Sequence, residues 1–316
     1  MSKVHEALKR AQEGRSLWQQ NENPNARTKV EAAPEIDAPV VAAAPVSVGT
    51  PVENAPKFVA PVIDRKTPAF TVRSDSKPTQ FLRFEDLLKS CANPAWVLDP
   101  NTVVFGALNQ PMVGTEQFRT LRSRLYSLRE TSPLKKVLIT SSLAGEGKTF
   151  VAANLALAIA RERERKVLLI DTDFRCPRLH TILGAPLSPG LSDYLLDQAT
   201  ESEIIQHGQE GNLCFIGAGN RESNPSELLS NGKLEKFLDL IGSLFDWVII
   251  DSPPCLPVAD ANIVASLSDG VLLVVRAGST PSAALERARK DLQKRKVVGV
   301  VLNAVEEADG YGPYYG

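Results

Sequence analysis

"VLITSSLAGEGKTF", residues 137–150, is the stretch that decides how this chain is read. An apolar run ends at Thr140, a loop of small residues follows, and Gly147, Lys148 and Thr149 open an apolar helical stretch. Strand, glycine-bearing loop and helix in that order let successive backbone N–H groups and a helix N-terminus cradle phosphate. In such a loop Lys148 reaches the terminal phosphates, and Thr149 offers its hydroxyl to Mg²⁺. The strict pattern has glycine five residues before Gly147, where this chain carries Ser142.

Outward from the loop, short β-branched runs recur: "KVLIT" (136–140), "KVLLI" (166–170), "LCFI" (213–216), "WVII" (247–250), "GVLLVV" (270–275) and "VVGVVLN" (297–303). Runs apolar on both faces suit strands covered by helices on each side, hence a parallel sheet. Helical patterns near 149–162, 190–197, 232–243, 259–267 and 282–293 lie between them. The alternation predicts an α/β fold, a doubly wound, mostly parallel sheet of the P-loop NTPase type, over 113–305. Two strands run straight into carboxylates: Asp171 and Asp173 in "VLLIDTDFR", and Asp251 in "WVIIDSPP". In a parallel sheet these strand ends share the P-loop's edge, and carboxylates beside a phosphate cradle suit Mg²⁺.

Ahead of this domain, residues 1–15 read as a short amphipathic helix carrying Val4, Ala7, Leu8 and Ala11 at helical spacing. Residues 16–112 read as a mostly disordered Pro/Ala-rich linker, with order resuming gradually between 81 and 112. Residues 306–316 form a flexible tail holding Tyr311, Tyr314 and Tyr315, three of the five tyrosines in 316 residues. A net charge of −1 provides no field for nucleic acid or an anionic membrane. Cys91, Cys176, Cys214 and Cys255 are widely spaced, as reduced cytosolic thiols are. The longest apolar stretch, "FVAANLALAIA", has eleven residues and is too short to span a bilayer.

The three motifs together resemble the Walker A, A′ and B set of the bacterial tyrosine kinases of capsule and exopolysaccharide synthesis. The likeness covers about 113–316 and is to the separate cytoplasmic form of the CpsD/CapB kind. "TEQFRTLRSRL" adds that family's E-x-x-R-x-x-R at Glu116, Arg119 and Arg122, which the resemblance implies lies at a subunit interface of a ring. It further implies that Gly145, Glu146, Gly147, Lys148, Thr149 and Phe150 hold ATP. Lys148, Asp171 and Asp173 would be catalytic, with Asp171 orienting or deprotonating the tyrosine, and Thr149, Asp173 and Asp251 would ligate Mg²⁺. The division of base and metal-ligand roles among the three aspartates stays open.

Tyr311, Tyr314 and Tyr315 would then be autophosphorylated, a phosphatase reversing the modification. The resemblance also implies a homo-oligomeric ring and a membrane adaptor of the Wzz chain-length-regulator type, which recruits this cytoplasmic chain to the inner face of the cell membrane. Two other functions fit the same motifs: a Min/Par-type positional ATPase, or a catalytically weak scaffold assembled by ATP. The Min/Par loop has a second lysine at the position of Leu143 here.

Overall fold

A computed structural model describes residues 83–105, 114–208, 212–221, 223–292 and 295–305. The expected N-terminal helix, most of the expected linker and the tyrosine tail lie outside these residues.

Seven strands form one sheet in the order β3-β4-β2-β5-β1-β6-β7. They are β1 (Lys136–Ser141), β2 (Val167–Asp171), β3 (Ile205–His207), β4 (Leu213–Ile216), β5 (Trp247–Asp251), β6 (Gly270–Arg276) and β7 (Val297–Asn303). All pairings are parallel except β3 with β4. The doubly wound, mostly parallel sheet predicted from the apolar runs is thus present.

The central strands alternate between two cores. Leu138, Leu168, Ile170, Val248 and Ile250 pack on one face, and Val137, Ile139, Val167, Leu169 and Ile249 on the other. Each such side chain, fully buried, contributes about 1.5–3 kcal/mol relative to exposure. Helix α3 (Lys148–Ala160) lies across the second face. Its residues from Val151 to Ala160 are all buried, so it lacks the polar stripe of a surface helix, and its alanines let it approach the sheet closely.

The domain begins well before 113. Helix α1 (Phe84–Ser90) sends Phe84 and Leu87 into the first core, and Phe84 meets Phe245 edge-on at 5.4 Å. Ala92 then pairs with Gln206 of the edge strand β3, and Trp96 meets Phe215 edge-on at 6.2 Å. Val103, Val104 and Phe105 are buried in the second core, where the Val104 amide donates to Asn154 Oδ1 on α3 at 2.8 Å. The prolines and polar residues that give 83–105 a linker composition coexist with apolar anchors spaced too irregularly to show a period.

Helix α2 (Thr115–Thr131) buries Thr115, Phe118 and Leu125. The remaining helices are α4 (Leu179–Leu183), α5 (Leu191–Leu195), α6 (Glu201–Ile204), α7 (Pro225–Ser230), α8 (Lys233–Gly242), α9 (Asp260–Ser266) and α10 (Ser282–Asp291).

Candidate active site

The loop between β1 and α3 turns through Gly145 and Gly147, at φ 81° and 96°. Both angles lie in the left-handed region that side chains disfavour. At Gly147 space is also short, since a Cβ there would stand 1.9 Å from Asn303 Nδ2. Ser142, in the place of the pattern's first glycine, is buried and is not among the positive-φ residues, so nothing at this position demands glycine. Helix α3 starts directly at Lys148, leaving its first-turn amides unpaired and pointing out of the loop.

Around this cradle the sheet brings its carboxylates together. Asp171 and Asp251 are register partners at the ends of β2 and β5, and both are fully buried. Lys148 Nζ donates to Asp173 Oδ2 at 2.8 Å and stands 3.9 Å from Asp251 Oδ2. It also donates to the Thr149 hydroxyl at 3.2 Å. The three aspartates, Lys148 and Thr149 are therefore assembled on one edge.

Their hydrogen bonding differs. Asp171 is saturated by backbone: Oδ1 accepts the Asp173 amide at 3.0 Å and Oδ2 the Leu179 amide at 3.3 Å. Asp173 Oδ1 accepts the Cys176 amide at 3.0 Å. Neither Asp251 oxygen has a hydrogen-bond partner, although the Thr149 hydroxyl and Ser252 amide stand near enough to favour its charge.

Burial raises the Asp171 carboxyl well above the ordinary range, and the neighbouring Asp251 charge adds to this. Burial likewise pushes Asp251 up to about 6, against the pull of Lys148. For Lys148 burial works against the charge, but Asp251 and Asp173 outweigh it and the ammonium is held above its usual range. A cation beside three carboxylates, one of them unclaimed, is an arrangement set to receive phosphate and a divalent metal.

Glu146 and Phe150 face the protein. Glu146 is 4% exposed; its carboxylate accepts the Leu143 amide at 2.9 Å and the Thr280 hydroxyl, bracing the loop from within. The Phe150 ring packs against Phe118 of α2 at 5.7 Å. Glu116 and Arg119 form an exposed ion pair on α2. Arg122 turns inward, donating to the Ala158 carbonyl at 2.6 Å and pairing with Glu162 at 3.0 Å.

Sequence reasoning passed over the loop's outer supports. Asn303 Nδ2 donates to the Glu146 carbonyl at 3.0 Å, and Arg276 Nη1 to the Gly145 carbonyl at 3.3 Å. A recess of about 600 Å³ lies here, between residues 143–146 and 276–280. The available signal was a polar residue closing each apolar strand, Arg276 after "GVLLVV" and Asn303 at the end of "VVGVVLN".

Comparison with known proteins agrees with this geometry. A family profile described as an AAA domain matches residues 134–294, in keeping with nucleotide binding at the loop. The tyrosine-protein kinase YwqD of Bacillus subtilis is 35% identical over 215 residues, 66% of this chain and 90% of that protein. The tyrosine-protein kinase CpsD of Streptococcus agalactiae is 34% identical over 217 residues, 67% of this chain and 93% of that protein. The solved kinase domain of the Escherichia coli tyrosine kinase ETK superposes with a TM-score of 0.56 at 32% identity, covering 63% of this chain and 80% of that domain. With relatives matched over nine-tenths of their length and the P-loop and its aspartates assembled on one sheet edge, this chain belongs to the bacterial tyrosine-protein kinases.

Proposed function

We propose that this chain transfers the γ-phosphoryl group of ATP to tyrosine, with its own Tyr311, Tyr314 and Tyr315 as acceptors and regulation of exopolysaccharide polymerisation and export as the setting. The observation that carries the reading is the convergence of Lys148, Asp171, Asp173 and Asp251 beside the P-loop. The loop amides and Lys148 bind the phosphates. A tyrosine Oη–Pγ bond forms, the bond from Pγ to the β-phosphate oxygen breaks, ADP leaves, and the phenolic proton passes to Asp171. A free tyrosine hydroxyl loses its proton only near pH 10, so a carboxylate with raised proton affinity suits that task. Thr149, Asp173 and Asp251 would hold a magnesium ion, which supplies charge neutralisation on the phosphate oxygens. The two unpartnered, buried oxygens of Asp251 fit such an ion.

No helix among the described residues is long and apolar enough to cross a membrane. Membrane recruitment by a chain-length-regulator adaptor, a ring through the Glu116/Arg119/Arg122 face, and reversal by a tyrosine phosphatase belong to the same proposal.

The test mixes full-length Lys148→Met protein with active protein truncated after Asp309, in ATP and Mg²⁺, and blots for phosphotyrosine. Modification of the inactive chain is expected, at least tenfold above the Lys148→Met protein alone. ATP hydrolysis without phosphotyrosine on any chain, wild type included, would overturn the kinase reading in favour of a positional ATPase.

A further inference from the structure

The catalytic well is acidic and buried, whereas its rim over β2 and β4 is basic and exposed. Arg175 and Arg178 follow β2, and Arg221 follows β4; all three are exposed. Arg175 is fixed in place: its Nε and Nη2 donate to the fully buried Asp260 at 2.8 and 3.3 Å, and Ser226 donates to the same carboxylate. Its Nη1 has no partner among the described residues, and the Arg175 side chain remains 41% exposed. Arg178 and Arg221 pair with no carboxylate among the described residues. A chain approaching this edge meets three arginines before it meets an aspartate.

The segment that must approach is itself acidic just ahead of its tyrosines: Glu306, Glu307 and Asp309 precede Tyr311. We propose that Arg175, Arg178 and Arg221 dock the acidic residues Glu306, Glu307 and Asp309 of a second copy of this chain, delivering its tyrosines to the well. This rests on the kinase reading for its purpose but on charge and geometry for its partner.

Strand spacing argues for the second copy. Asn303 at the end of β7 is anchored to the P-loop, and β2 and β4 stand four and five strands away in the sheet, roughly 19 and 24 Å at about 4.8 Å per strand. From Asn303 the backbone reaches Glu306 within about 10 Å and Glu307 within about 14 Å. A subunit's own tail stretched far enough to bring its acids over β2 and β4 carries Tyr311 past the well. A tail arriving from a neighbour has no such anchor, and its Tyr311 lies two residues, about 7 Å, beyond Asp309.

The experiment uses full-length protein and a fluorescein-labelled peptide of residues 304–316, with binding read by anisotropy without nucleotide. Replacing the peptide's acids (Glu306→Gln, Glu307→Gln, Asp309→Asn), or changing the protein at Arg178→Glu and Arg221→Glu, should each weaken binding about tenfold. Rising salt should erase the difference, as it does between exposed charges. A peptide with lysines at 306, 307 and 309 should regain affinity for the reversed protein, which a merely misfolded rim would not restore. Equal binding of the neutral and acidic peptides, or no recovery on charge reversal, overturns the docking. Charge-dependent binding with no phosphotyrosine formed on adding ATP and Mg²⁺ would leave the docking standing and remove the kinase reading.

Discussion

Asp251 shows at the scale of one residue how function opposes stability. In the folded protein its carboxyl keeps its proton up to about pH 6, whereas an unfolded aspartate loses it near 3.9. Between these values the folded state binds the extra proton, so stability falls as pH rises, and above about 6 the full cost of a buried carboxylate remains. Asp251→Asn removes that cost while Lys148 keeps Asp173 as its partner. The variant should melt about 3–5 °C higher than wild type at pH 7.5, the gain shrinking towards pH 4, and should lose Mg²⁺-dependent nucleotide binding. An unchanged melting temperature at pH 7.5 would mean that Lys148 already compensates the charge.

Among the elements, the P-loop depends on β7 as much as on its own glycines. Gly145→Ala meets nothing within 4 Å, so only the left-handed backbone opposes it, a cost of about 1–2 kcal/mol. Gly147→Ala adds a collision with Asn303. We expect Gly147→Ala to weaken nucleotide binding at least tenfold by fluorescence titration, and Gly145→Ala distinctly less. In the double change Gly147→Ala with Asn303→Ala, part of the loss should return. Equal losses for both glycines would show that Asn303 yields freely and does not shape the loop.

For the whole molecule, the two arginines of the E-x-x-R-x-x-R helix separate assembly from folding. Arg122 holds the end of α3 through Ala158 and Glu162, so Arg122→Glu loses a charged hydrogen bond and opposes two carboxylates, costing about 1.5–3 kcal/mol. Arg119, 53% exposed and paired only with Glu116 one turn away, is worth under about 1 kcal/mol to its own subunit. Arg119→Glu should therefore leave the melting temperature within about 1 °C while shifting sedimentation towards monomer. Unaltered assembly in that variant would limit the motif to a role inside the subunit.

Local pattern alone determined the strand runs, the phosphate loop and the aspartates ending β2 and β5, because strand period, left-handed glycines and the shared edge of parallel strands are properties of short stretches. The sequence could not place residues 83–105 in the core, since their anchors follow no period and their partners Phe215, Phe245 and Asn154 lie far along the chain. Nor could it tell that Arg122 faces inward while Arg119 faces out, or that Glu146 braces the loop. The contact of Asn303 with Glu146 joins residues 157 positions apart, and the pairing of Asp171 with Asp251 is set by β2–β5 register. Side-chain direction and strand register arise only when distant segments pack, so the tertiary structure alone decided which of the legible residues touch.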